Sequence, residues 1–253
     1  REYALLMIRV LFAGEGWATL QLNIKAFDIF HLGGYQDFGR WFREALSKFN
    51  DIEIVHMPDY VAFQEFPKTV EELKKFDVVV LSDIGSNSLV LYPDLFKVPM
   101  GPNRLITIRD YVKSGGGLVM AGGWYSFAGE LGIAKYHGTP VEEALPVEIS
   151  PWDDRVETPE GASPKILKPQ HEILKGIPTD WPQFLGYNRV KLKEGAELLA
   201  EINGDPFIAV WKFGDGRSMV FTSDLAPHWG TAFVKWEYYP KFWYQCVKWL
   251  AGR

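Results

Sequence analysis

The chain has a single cysteine among its 253 residues. One thiol can form neither an internal disulfide nor a multi-cysteine metal site, which excludes a disulfide-stapled secreted scaffold and a structural zinc module. Basic residues are not in excess: 27 Lys plus Arg stand against 32 Asp plus Glu, a formal charge of −5. Without a basic surplus or stripe, nucleic acid is not an expected partner. No apolar run near the N-terminus reaches the ~20 residues of a membrane-spanning helix. Leu5 to Ala13 is short and carries Arg9 inside it, where a secretory leader places its positive charge ahead of the run. No membrane partner is expected, the expected location is cytoplasmic, and residues 1–6, ahead of Met7, are expected to be an extension. Phosphate-binding loops are missing too. Gly14-Glu15-Gly16 has Thr19 where a dinucleotide fingerprint needs its third glycine, and neither Gly115-Gly116-Gly117 nor Gly122-Gly123 leads into Lys-Ser/Thr. No cofactor is expected.

What remains is an ordinary globular balance, 47% apolar and 23% charged, with a heavy aromatic share of 10 Trp, 11 Tyr and 17 Phe. Apolar runs and helical patterns alternate through the first half. Ile8–Ala13 reads as a buried strand, Phe38–Phe49 as an amphipathic helix, and Asp51–His56 as a second strand. Thr69 with Glu72 forms a capping box for a short helix. Asp77–Asp83 is a β-branched run of the kind found in parallel strands covered on both faces. Asn103–Lys113 reads as a helix stopped by three glycines, and Leu118–Ala121 as a fourth strand. This βαβαβαβ order predicts a doubly wound α/β sheet. Residues 150–185 are rich in proline and read as an excursion from the core. Tyr187–Leu192, Glu197–Ile202, Phe207–Phe213 and Ser218–Ser223 read as further strands, and about Thr231–Ala251 as a terminal aromatic helix. One unit spanning 1–253 is the simplest division.

In open α/β sheets, ligands bind outside the carboxyl ends of the strands. Those ends carry Gly14-Glu15-Gly16-Trp17, Ser82-Asp83-Ile84-Gly85-Ser86-Asn87, Gly122-Gly123-Trp124-Tyr125-Ser126 and Ser223-Asp224 through His228-Trp229. Each alone is also ordinary turn chemistry; four together predict a shared pocket. With Pro102-Asn103-Arg104-Leu105, Asp153 to Glu157 and Gly186 to Val190, these blocks resemble the class I glutamine amidotransferase-like family, which is related to trehalose-utilisation-type domains. The resemblance covers nearly the whole chain. It implies a flavodoxin-like, three-layer α/β/α sandwich with a mostly parallel sheet, and it implies no established activity.

A class I glutaminase needs a cysteine on a sharp strand–turn–helix elbow and a His–Glu pair near the last strand. The corresponding elbow here follows Leu118–Ala121 and places Gly122, Gly123 or Trp124 at the nucleophile position. Cys246 falls on an apolar face of the terminal helix with Phe242, Trp249 and Leu250, where a cysteine behaves as a small hydrophobe. Ser126 is crowded by Trp124, Tyr125 and Phe127, unlike a serine elbow, and reads as a cap or a ligand hydrogen bond. Asp224 and His228 occupy the loop where amidotransferases keep their His–acid pair, with different spacing and reversed order. They are the candidate catalytic residues, an Asp-tuned imidazole acting as base; the alternative is a loop cap beside packed Trp229. The Asp153-Asp154-Arg155 segment lacks metal-ligand spacing and reads as an ion-pair loop, so no metal site is assigned.

Trp17, Tyr35, Trp124, Tyr125 and Trp229 all fall at strand ends or their insertions. Aromatic faces beside polar groups suit carbohydrate, although they also suit a protein interface. The segment around His31 reads as a loop positioned to reach over the pocket or a neighbouring subunit. A terminal helix aromatic nearly all round favours a homo-oligomer. The expectation is therefore an amidotransferase-like protein without the elbow cysteine, binding a small polar molecule such as a carbohydrate. Glu15, Trp17, Asp83, Ser86, Asn87, Gly123, Trp124, Tyr125, Ser126 and Trp229 are the expected ligand-binding residues. A non-catalytic oligomeric scaffold and an active glutaminase are the alternatives.

Overall fold

A computed structural model describes residues 7–93 and 101–253. The expected extension at 1–6 lies outside the described residues. The centre is an eight-stranded sheet. Its strand β1 (Ile8–Gly14) leads into a hairpin, β2 (Gly16–Lys25) and β3 (Asp28–Asp37), and then helix α1 (Arg40–Leu46). Strand β4 (Ile52–Met57), helices α2 (Asp59–Glu65) and α3 (Val70–Leu73), strand β5 (Val78–Ser82), and helices α4 (Ser86–Val90) and α5 (Arg104–Lys113) follow. Next come β6 (Gly117–Ala121), α6 (Pro140–Ala144), β7 (Val147–Glu148), β8 (Arg155–Ala162) and β9 (Lys165–Ile166). The chain continues through β10 (Phe184–Asn188), β11 (Lys191–Leu192), β12 (Glu197–Ile202), β13 (Asp205–Phe213), β14 (Gly216–Phe221) and α7 (Tyr239–Leu250).

The sheet order is β4-β1-β5-β6-β14-β13-β12-β9, parallel from β4 to β14 and antiparallel beyond. Its parallel part has the 2-1-3-4-5 order of a flavodoxin-like fold, in which the order of strand addition reverses between β1 and β5. The strands are apolar on both faces because both are covered. Val10, Phe12, Val78, Val80, Val119 and Phe221 pack toward α1 and α7. Leu11, Ala13, Val79, Leu81, Leu118 and Val220 pack on the other side with side chains of α2, α3, α5 and α6. Each fully buried side chain of this kind contributes about 1.5–3 kcal/mol, so the continuous β-branched run is what makes β5 an interior strand.

Several expectations change. The segment around His31 is not a loop but the ten-residue strands β2 and β3, which among the described residues pair only with each other. The region 187–192 is two strands, β10 paired with β8 and β11 paired with β7, outside the central sheet. The proline-rich stretch is not wholly outside the core, since Ile173, Leu174, Ile177 and Trp181 join the cluster on the α7 face. Trp181 stacks on Phe233 at 5.7 Å. The terminal helix is Tyr239–Leu250 rather than 231–251. Tyr239, Phe242 and Trp243 are buried against the chain's own core, so its aromatic surface is covered from within.

The capping box at α3 is present: the Glu72 N–H donates to Thr69 Oγ1 at 3.2 Å, and the Thr69 N–H donates back to Glu72 Oε2 at 3.2 Å. Replacing Thr69 by alanine removes one arm of that box. A loss of about 1 kcal/mol is expected, read as a lower urea midpoint with an unchanged slope.

Candidate functional site

Four strand ends meet at the carboxyl edge of the parallel sheet. β1 ends at Gly14, whose φ of +111° and the Ser82 carbonyl oxygen, 1.8 Å from where a Cβ would sit, admit only glycine. That close approach lays Glu15 against the end of β5, where the Ser82 hydroxyl donates to Glu15 Oε1 at 2.5 Å. β5 delivers Asp83, β6 delivers the Gly122–Tyr125 turn, and β14 delivers Asp224 and His228. Glu15, Trp17, Asp83, Trp124, Asp224 and His228 line one cleft of about 220 Å³, together with Thr19, Gln36, Phe38 and Pro227.

The acidic groups converge in spite of mutual repulsion. Glu15, Asp83 and Asp224 are only 2%, 6% and 3% exposed. Burial first, and then the nearby charges of Asp224 and Asp83, push the Glu15 carboxyl well above the carboxylate range. Burial and Asp224 raise Asp83 to about 7. Burial also raises Asp224, against the opposing pull of His228. Asp59, which accepts the Gly16 N–H at 2.9 Å, is raised by burial to about 7. Folding therefore raises the proton affinity of the carboxyls along this edge, and a carboxyl that holds its proton donates a hydrogen bond as well as accepting them.

His228 Nδ1 lies 3.3 Å from Asp224 Oδ2. Burial works against the imidazolium, yet the bonded Asp224, with Asp83 and Glu157 nearby, holds its pKa above the ordinary histidine value. Its ring meets Trp124 edge-on at 5.0 Å and stacks on Trp229 at 5.1 Å. The pair has the geometry of a carboxylate-oriented base. Glu15, Asp83 and His228 have φ values of +61°, +47° and +132°, so three cleft residues occupy a region that non-glycine residues rarely adopt.

The remaining expected site residues divide. Tyr125 and Asn87 line a neighbouring cleft that shares Trp17, Thr19 and Asp83 with the first. Trp17 Nε1 donates to Asp83 Oδ2 at 3.1 Å, and the Tyr125 N–H donates to Asp83 Oδ1 at 2.6 Å. Ser126 does not face either cleft; it is 1% exposed and its hydroxyl accepts the Asp83 N–H at 3.0 Å. Ser86 donates to the Lys135 carbonyl and is likewise structural. Trp229 is 1% exposed and donates to Glu157 Oε2 at 2.9 Å, so it backs the site and is not a rim residue. Gly123, at φ +152°, brings backbone so close to Asp83 that a Cβ would sit 2.4 Å from Oδ1. Tyr35 lies on the hairpin against Tyr60, away from the cleft.

Four residues that the sequence reading left without a site role matter here. Asn188, fully buried, accepts the Gly123 N–H at 2.9 Å and donates to the Gly123 carbonyl at 3.1 Å and to Asp154 Oδ1 at 2.8 Å. Asp154 accepts the N–H groups of Ala128 and Gly129, each at 2.9 Å, and burial raises it to about 6. Asp153, by contrast, is a surface ion-pair partner, holding Arg155 at 2.7 Å, with Glu157 at 4.0 Å from the same guanidinium. Glu157 accepts the indole N–H groups of both Trp124 and Trp229. Asp59 is the fourth. Cys246 is fully buried in α7, and burial pushes its thiol up, away from thiolate chemistry. Among the described residues, no group of three His, Cys, Asp or Glu side chains is placed to hold a metal ion.

A parallel sheet of flavodoxin-like order, with an acidic, histidine-containing cleft at the carboxyl ends of its strands, defines the class: a class I glutamine amidotransferase-like α/β fold. The chain belongs to the GATase1-like family, described as "Putative glutamine amidotransferase", whose model matches residues 9–252. It is similar to two solved structures of Salmonella typhimurium, the cytoplasmic proteins STM3548 and STM1381. Each is 37% identical with a TM-score of 0.91, and each match covers 96% of this chain and 99% of the other. A ThuA-like protein from Parabacteroides merdae shares the fold at 12% identity and a TM-score of 0.54, covering 97% of this chain and 90% of that one. No curated protein matches the chain. No helix among the described residues is long and apolar enough to cross a membrane.

Proposed function

We propose that the chain is a cytoplasmic member of this family that binds a small polar, hydroxyl-rich molecule of the carbohydrate type at the strand ends, and that it does not use the cysteine chemistry of glutaminases. The observation that carries the reading is the convergence of Glu15, Asp83, Asp224 and His228 between the aromatic walls Trp17 and Trp124. A sugar presents an apolar C–H face to an indole and hydroxyls to its edges, and carboxyls that both donate and accept match those hydroxyls without demanding a charged ligand. The volume of about 220 Å³ lies below the roughly 300–1,000 Å³ of sites for drug-sized ligands and suits a single sugar ring. Strained backbone at Glu15, Asp83 and His228 supports a working site, because such conformations persist where function maintains them. Asp224 and His228 are the acid–base pair of the reading. The turn after β6 offers Gly122, Gly123 and Trp124 and no nucleophile, which argues against glutamine hydrolysis.

The test is a thermal-shift panel of sugars, sugar acids and polyols. A ligand at about 100 times its Kd stabilises by about 2.7 kcal/mol, which is several degrees in Tm at this chain length. That shift should disappear in Asp224→Asn and in Trp124→Ala while unliganded unfolding stays cooperative. Silence across the panel would sink the reading in favour of a non-catalytic scaffold. Ammonia release from glutamine, abolished in Cys246→Ser, would replace it with a glutaminase.

A further inference from the structure

The hairpin β2–β3 is long, exposed and apolar. At about 3.3 Å per residue, its ten-residue strands reach roughly 33 Å. Directly paired residues share a face, and the pairs Leu20–Gly33, Leu22–His31 and Ile24–Ile29 set one of them. Leu20, Leu22, Ile24 and Ile29 on that face are 73%, 58%, 68% and 65% exposed. Phe30 and Leu32 project from the opposite face, and Phe27 at the turn is 98% exposed. Large apolar side chains present on the order of 200 Å² each when bare, so the hairpin displays roughly 1,000 Å² over its two faces and turn together, about half of it on the Leu20–Ile24 face. A two-stranded ribbon is marginal in water, and monomers rarely expose contiguous apolar patches beyond a few hundred Å².

We propose that this hairpin is an arm by which two copies of the chain associate. Its area is the first reason: a stable interface of standard size takes about 800 Å² per partner, which the ribbon supplies when a twofold exchange of arms covers both its faces and its turn on each copy. Its charge is the second. Between Trp17 and Gln36 the only charged residues are Lys25 and Asp28, opposite each other at the tip. A ribbon with no cationic rim on a chain of net charge −5 is not built for an anionic lipid surface. Its shape is the third. Gly33 leaves bare backbone across from Leu20, and a Cβ there would meet nothing closer than 3.8 Å. A twofold axis sets the Leu-Ile row of one arm into that trough on the other. Among the described residues neither outer edge of the ribbon has a neighbouring strand, and a second ribbon would satisfy the backbone groups there. The buried aromatic helix α7 contributes nothing to this surface. Trp17, Thr19 and Gln36 at the arm's root line the cleft, which puts the association at the rim of that site. The inference stands independently of the ligand the cleft takes.

Sedimentation velocity on the full chain at micromolar concentration tests it, and the expected result is a closed dimer. Two variants separate the arm from the body: Leu22→Glu with Ile24→Glu, and a shortened arm in which residues 21–32 are replaced by Asn-Gly. Both should self-associate at least about 100-fold more weakly while keeping cooperative unfolding, and the double substitution should keep the wild-type far-UV circular dichroism. A wild-type monomer at tens of micromolar overturns the proposal, as does a dimer of unchanged affinity in both variants. Arm-dependent flotation of a monomeric wild type with phosphatidylcholine vesicles would overturn it in favour of lipid.

Discussion

Replacing Asn188 by alanine is expected to destabilise the protein by about 3–5 kcal/mol. The side chain is fully buried and makes three hydrogen bonds, two to the N–H and carbonyl of Gly123 and one to Asp154. Alanine leaves the Gly123 N–H without a partner and its carbonyl with only the long contact from the Ser126 N–H at 3.5 Å, and an orphaned buried group costs about 1–3 kcal/mol. Asp154 loses one of its three donors and, already raised to about 6 by burial, becomes harder to ionise. The loss should far exceed that of Thr69→Ala, whose box lies on the surface. Denaturant unfolding of both variants beside wild type checks this. A loss below about 1 kcal/mol for Asn188→Ala would mean that the turn after β6 holds its shape without this bracket. Because that turn carries Trp124, ligand stabilisation should fall in step with the folding free energy.

The second large effect is a dependence of stability on pH that runs against ordinary acid denaturation. Asp83 is raised from 3.8 to about 7 on folding, chiefly by burial and then by Asp224. The folded chain binds this proton more tightly than the unfolded chain, so the contribution is fully present below pH 3.8 and is lost as pH rises through about 7. Asp59 acts in the same direction. His228, also raised on folding, contributes stability that disappears as pH rises through its folded value. His56 and His171, lowered chiefly by burial, work the other way and moderate the slope. Moving from pH 8 to pH 5 should therefore gain on the order of 2 kcal/mol from Asp83. In Asp83→Asn that part of the slope should vanish, whereas the cost of disturbing the Trp17 and Tyr125 hydrogen bonds is independent of pH. Equal slopes for the two proteins between pH 5 and 8 would show that Asp83 does not hold its proton.

The parallel half of the sheet was legible because its strands are covered on both sides. Val78 to Ser82 or Leu118 to Ala121 can be nothing but interior, and the helices between them carry caps or stops. The family resemblance rested on the loops at those strand ends, and the same loops bring Glu15, Trp17, Asp83, Trp124, Asp224 and His228 together. The hairpin escaped detection because neither of its faces meets the core, leaving no inside–outside alternation to read. Asn188 and Asp154 escaped for another reason. A polar residue buried to hold backbone has no periodic signature, and its partners at 123, 128 and 129 lie at least 25 positions away. Ser126 and Trp229 lie at the strand ends that the sequence predicts but turn inward, since residue type at a strand end does not specify which way a side chain turns.

The two walls of the cleft differ in how they are mounted. Trp124 is fixed by Glu157, which also holds Trp229, and Arg155 lies over its ring at 5.2 Å. Trp17, Thr19 and Gln36 stand instead at the foot of a ribbon tied down by the Gly16–Asp59, Phe38–Glu15 and Trp17–Asp83 hydrogen bonds. The cleft is thus walled on one side by the turn after β6 and on the other by the foot of the ribbon. In the proposed function, Trp124 is the wall that the face of a ligand meets, and Trp17, Thr19 and Gln36 at the foot of the ribbon bound the space opposite it.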